Sequence, residues 1–150
     1  MTNKIFVDTN ILVYAYDRSE PEKQGLALAV LNQLTEARAG VISAQVMSEF
    51  FSAITRKITA PLSPADAYQR LENYQQSWDV VDVTPEIVLE GVRGVREYQF
   101  SLWDGQIWAA ARLNQITVVF SEDFSVGSVI EGVRFVNPLA NNFRIEEWVI

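Results

Sequence analysis

Lys4-Ile5-Phe6-Val7-Asp8-Thr9-Asn10-Ile11-Leu12-Val13-Tyr14 is the stretch whose reading decides the fold. Ile5-Phe6-Val7 is a short apolar run that stops at an acid, which fits a fully buried strand. Thr9 or Asn10 can cap a helix that runs to about Asp17. A buried strand passing at once into a helix belongs to an α/β layer fold.

The same alternation continues outward. Pro21 suits a helix start, and Leu26, Ala27, Val30, Leu31 and Leu34 mark an amphipathic helix to about Arg38, with Gly40 at its end. Val41-Ile42 is a minimal strand. Ser43 then opens a helix carrying Val46, Phe50, Ile54 and Ile58 to about Thr59. Pro61 and Pro64 precede a further helix over residues 63–77. Residues 79–83 read as an edge strand. Thr84-Pro85-Glu86 opens a helix to about Tyr98, and residues 101–114 form another. Residues 117–120 are the clearest strand, ending at Ser121-Glu122-Asp123. Residues 133–136 form a last short one. The pattern predicts a mostly parallel sheet, in which ligands bind beyond the carboxyl ends of the strands.

Composition narrows the chemistry. The chain has 150 residues, 49% of them apolar, enough for one domain over 1–150 with its own core. It has no cysteine and no histidine. Thiolate or imidazole metal sites, cysteine nucleophiles and Ser-His-Asp triads are therefore excluded. Twelve basic and 19 acidic residues give a formal charge of −7. Such a chain cannot grip nucleic acid by bulk charge alone. The N-terminus does not read as a signal peptide, and no apolar stretch approaches the ~20 residues that span a bilayer. The expected location is the cytoplasm, away from membranes.

The acids fall where a parallel sheet gathers them. Asp8 ends the first strand. Glu122 and Asp123 follow the strand at 117–120. Asp104 lies in the first turn of the helix leading into that strand, so it starts near the same edge. Glu49 lies two turns into the helix after Val41-Ile42. Each acid has a bland alternative: Asp8 and Asp104 as helix-start acids, Glu49 at the border of a core stripe, Glu122 and Asp123 in a polar turn. Their joint placement favours a site. Converging carboxylates repel and do not all ionise unaided. A hard divalent cation resolves this, and Mg²⁺ or Mn²⁺ suits an all-oxygen set. Such a site activates water and polarises a phosphoryl oxygen, so phosphodiester hydrolysis is the natural chemistry.

Four segments resemble the PIN-domain family: Ile5–Ala15 around Asp8-Thr9-Asn10, Ser43–Phe50 with its helical Glu49, Ser101–Ala111 with Asp104 before an Ala-rich run, and Val118–Phe124 with Ser121-Glu122-Asp123. Gly132–Pro138 also fits, so the likeness covers residues 4–138. It implies a Rossmann-like three-layer α/β/α fold with a five-stranded, mostly parallel sheet in order 3-2-1-4-5. It also implies an endoribonuclease using Mg²⁺ or Mn²⁺ at Asp8, Glu49, Asp104 and Asp123, with Glu122 as the alternative fourth acid. Thr9, Asn10 and Ser121 match the family's supporting polar residues. Small bacterial members are mostly VapC-type toxins, usually homodimers silenced by a small antitoxin. An RNA substrate, an antitoxin partner and a homodimer are thus expected.

Asp8 and Asp104 are the first choices as direct ligands, Glu49 a ligand or water-orienting group, and Asp123 a second ligand. Of the basic residues, Arg56 is the expected RNA contact, ahead of its neighbour Lys57 and of Arg93, Arg96 and Arg112. Tyr14, Tyr16, Trp103 and Phe124 are candidates for stacking on bases. Alternatives are an RNA-processing nuclease of the same fold without a toxin role, a haloacid-dehalogenase-like phosphatase, and a non-catalytic interaction module. The phosphatase ranks low because Asn10 stands where it needs a second Asp.

Overall fold

The computed structural model describes residues 3–149. The chain forms β1 (Ile5–Val7), α1 (Thr9–Tyr14), α2 (Pro21–Glu36), β2 (Gly40–Ser43), α3 (Ala44–Arg56) and α4 (Pro64–Ser77). It continues through β3 (Asp79–Val81), α5 (Pro85–Tyr98), α6 (Leu102–Leu113), β4 (Val118–Phe120), β5 (Val129–Ile130) and β6 (Val133–Val136), with a 3-10 turn at Ile145–Glu147. The sheet order is β3-β2-β1-β4-β6-β5. Every pairing is parallel except β5 with β6.

The predicted order of the five main strands therefore holds. The sheet differs in having a sixth, the two-residue β5, which folds back antiparallel on β6 and separates nothing in the parallel series. Several elements are shorter than predicted. α1 ends at Tyr14 and passes through tight turns to Asp17, α2 ends at Glu36, α3 ends at Arg56, and β3 stops at Val81.

Local chemistry explains the boundaries. Ser43, Ser63, Thr84 and Ser101 each use the side-chain oxygen to accept from the backbone N–H three residues on, which satisfies one free donor of the first turn. Pro64 and Pro85 sit where their missing N–H costs nothing. β1 is the centre of the sheet, and Ile5, Phe6 and Val7 have no solvent exposure. Burying each contributes about 1.5–3 kcal/mol, which is why three residues suffice for a strand.

Two registers set the site. Phe6 pairs with Val41 on β2 and with Val119 on β4, and Val7 pairs with Phe120. β1 and β4 therefore end in step, and the residues after them, Asp8 and Ser121, come side by side. On the α5–α6 layer, helix contact depends on Gly105. A Cβ there would lie 2.5 Å from the Gly91 carbonyl oxygen, so only glycine allows this approach. That contact fixes the start of α6, which carries Asp104.

Candidate active site

Asp8, Thr9, Asn10, Glu49, Asp104 and Asp123 line one cleft of about 540 Å³ at the carboxyl end of β1 and β4. These residues come from four separate parts of the chain, and the sheet brings them together. Asp8 leaves β1 in extended conformation and caps α1. Its Oδ1 accepts from Thr9 N at 2.7 Å and its Oδ2 from the Ser121 hydroxyl at 2.8 Å. Thr9 donates its hydroxyl to Glu49 Oε1 at 2.7 Å. Asn10 donates Nδ2 to Asp123 Oδ1 at 3.0 Å. Thr9, Asn10 and Ser121 thus each hold one of the acids. Asp104 follows its cap, Ser101, whose Oγ accepts from Asp104 N at 3.1 Å.

The electrostatics are those of charges lacking a counterion. Burial pushes the Asp8 carboxyl up from its ordinary 3.8 to about 7, and the neighbouring Asp104 and Glu49 add to the rise, against the hydrogen bonds from Ser121 and Thr9. Asp104 is also raised, first by burial and then by Asp123 and Glu49.

Glu122 has a different environment from its neighbour. Its carboxylate accepts from Tyr14 Oη at 2.6 Å and pairs with Lys23 Nζ at 2.7 Å. Burial alone would raise its pKa, but the hydrogen bonds from Lys23 and Tyr14 and the Lys23 charge together hold it below the usual range. Glu122 does not line the cleft; Asp123 does. Between the two, the geometry favours Asp123 as the fourth acid.

The basic and aromatic candidates separate as clearly. Arg93 and Arg112 are spent on Glu90, Glu97 and Glu131. Arg56 is exposed and outside the cleft lining, whereas Lys57 lines it. Phe124 is a core residue, buried against Phe100 and Phe135, and half-buried Tyr16 packs edge-on against Phe50 at the border of the core. Tyr14 lines the cleft, and Trp103 is 57% exposed beside Asp104.

Comparison with known proteins identifies the architecture. A family model for the PIN domain matches residues 5–128. The chain belongs to the PIN domain family. No curated protein matches it. Among solved structures, this PIN domain is similar to a toxin–antitoxin complex from Klebsiella pneumoniae, at 21% identity and TM-score 0.62, covering 90% of this chain and 98% of that one. It is similar to VapC20 from Mycobacterium tuberculosis, a sarcin–ricin loop cleaving toxin, at 18% identity and TM-score 0.64, covering 85% and 98%. It is also similar to a DNA-bound VapBC from Salmonella typhimurium, at 17% identity and TM-score 0.62, covering 91% and 98%. At these identities the likeness bears on the fold.

Among the described residues, no three acidic side chains stand close enough together to hold a metal ion as they are placed. The donor set nonetheless fits. Five carboxylates line the cleft, those of Asp8, Asp17, Glu49, Asp104 and Asp123, and two of them, Asp8 and Asp104, are raised by burial and mutual repulsion. Asn10 Oδ1 is buried without a hydrogen-bond partner. Such an all-oxygen set suits Mg²⁺ or Mn²⁺. Asp17 and Ser52 also line the cleft and were not among the expected site residues, and Lys57, a lesser candidate than Arg56, lines it too. Their signal was helical spacing from Glu49 for Ser52, and nothing local for Asp17.

Proposed function

We propose that this PIN domain, over 1–150, is a metal-dependent endoribonuclease, the toxin of a toxin–antitoxin pair. The observation that supports it most is the convergence of Asp8, Glu49, Asp104 and Asp123 on one cleft, with the Asp8, Glu49 and Asp123 carboxylates each held by a polar neighbour. Asp8, Asp104 and Asp123 would hold Mg²⁺ or Mn²⁺, with Glu49 as ligand or beside it. When bound, that ion supplies an activated water and charge neutralisation at the phosphoryl oxygens.

The chain's own groups do the rest. Ser121 and the Thr9 N–H fix the Asp8 carboxylate from below. Thr9 fixes the rotation of Glu49, which orients the attacking water and takes its proton. The water oxygen bonds to phosphorus, the bond to the ribose oxygen breaks, and the proton passes to that leaving oxygen. Asn10 holds Asp123 on the far wall. The excess of acid, which argues against nucleic-acid binding, is in part the site itself: five of the 19 acids line the cleft.

The structural neighbours, several of them toxin–antitoxin complexes, support an antitoxin partner; a homodimer and action in the cytoplasm are further parts of the proposal. Among the described residues no helix is long and apolar enough to cross a membrane. The test is cleavage of end-labelled single-stranded RNA in Mg²⁺ or Mn²⁺. Cleavage that stops in EDTA and with Asp8→Asn is expected, and full activity in EDTA would refute metal dependence.

A further inference from the structure

One wall of the cleft is built by α3 and its C-cap. Glu49, Ser52 and Ala53 line it from the helix, and Lys57 lines it from the cap. Ser52 and Ala53 are small, so the wall is open between the acid at one end and the ammonium at the other. At the helical rise, the eight residues from Glu49 to Lys57 cover about 12 Å.

Lys57 is the one basic residue of that lining. Other cations near the sheet are engaged, except Arg134 on β6, which lines a different cleft. Lys4 pairs with Asp79, Lys23 with Glu122, and Arg93 and Arg112 with Glu90 and Glu131. Among the described residues Lys57 has no ion-pair partner and is exposed. A lone ammonium at the mouth of an acidic cleft favours an anion that extends past the acids. At about 3.4 Å per stacked nucleotide, 12 Å is three or four nucleotides along a strand.

We infer that Lys57 is a substrate-binding residue, contacting a flanking phosphate of the nucleic-acid strand a few nucleotides from the bond that is cut. This rests on the nuclease reading of the cleft and adds a binding position to it. The contact neutralises one phosphate and carries no sequence information. It also makes the useful substrate longer than a dinucleotide.

The test compares wild type, Lys57→Met, Lys57→Arg and Arg56→Met. Binding of a fluorescein-labelled 20-nucleotide single-stranded RNA is read by anisotropy in EDTA, where no cleavage is needed, across a range of KCl. Cleavage of the same RNA is read in Mn²⁺. One lost phosphate contact lowers affinity about 5-fold at 0.1 M salt and flattens the salt slope by about 0.7. The expected result is that loss for Lys57→Met, appearing in KM with kcat preserved, near-complete rescue by Lys57→Arg, and no difference between wild type and Lys57→Met on a dinucleotide. Arg56→Met should lose less than half as much. Equal losses from Arg56→Met and Lys57→Met would mean bulk charge and overturn the assignment, as would an unchanged KM or no RNA binding by wild type. RNA binding that depends on Lys57 without any cleavage would uphold the contact and refute the nuclease chemistry.

Discussion

Replacing Asp8 by Asn isolates the electrostatic cost of the cleft. Asp8 is 6% exposed, and its carboxyl is raised from 3.8 to about 7, first by burial and then by Asp104 and Glu49. The folded-state value lies above the unfolded one. The contribution of this group to stability is therefore fully present below about pH 4 and is lost as the pH rises through 7. Between those limits each pH unit removes about 1.4 kcal/mol. From pH 5 to pH 8 the metal-free protein loses about 2–3 kcal/mol through Asp8 alone. The Asn amide keeps the shape, can still accept from Thr9 N, and never ionises. Thermal melts in EDTA, followed by circular dichroism, should show Asp8→Asn gaining on wild type between pH 5 and pH 8. For a chain of this size the gain is about 5–10 °C. Added Mn²⁺ should raise the wild-type melting temperature and close much of the gap. A gap of the same size at both pH values would refute the claim that a buried, repelled carboxylate sits in the cleft.

Other outcomes follow from the contacts around it. Gly105→Ala drives a Cβ onto the Gly91 carbonyl, so it should cost about 1–3 kcal/mol, read as a lowered melting temperature, and should weaken any Mn²⁺ binding because it moves the start of α6. Asp123→Asn should abolish RNA cleavage. Glu122→Gln and Lys23→Met should lower it about 10-fold or more through loss of order in the loop that carries Asp123. Their melting temperatures should barely move, because a half-exposed ion pair contributes about 0–1 kcal/mol. Gly40→Ala would place a methyl into the Trp78 ring and should destabilise the β2 edge, again read by melting temperature.

Much of the fold was legible because the strands are apolar runs bounded by acids and glycine, and the helices begin at Ser or Thr caps that proved real at Ser43, Ser63, Thr84 and Ser101. β5 was not legible. Val129 and Ile130 are two residues, Val129 is 58% exposed, and pairing with β6 alone makes them a strand. The gathering of the candidate acids followed from topology, since parallel strands present their carboxyl ends on one edge. The choice between Glu122 and Asp123 did not, because Lys23 and Tyr14, about 100 residues away, decide which of two adjacent acids leaves the cleft. Lys57 ranked below Arg56 for a different reason. Counting seven residues from Glu49 along an ideal helix reaches Arg56, but α3 ends there, and Lys57 as its C-cap adopts φ −103°, so helical spacing no longer tells which side chain meets the cleft.

The central claim is that Asp8, Glu49, Asp104 and Asp123 hold a divalent cation together. Calorimetric titration of Mn²⁺ into the metal-free protein at pH 8 tests it directly. Saturable binding that disappears in Asp8→Asn and in Asp104→Asn, and persists in Glu122→Gln, is the predicted result. Wild-type protein that takes up no Mn²⁺, or variants that bind it as well as wild type, would contradict the account.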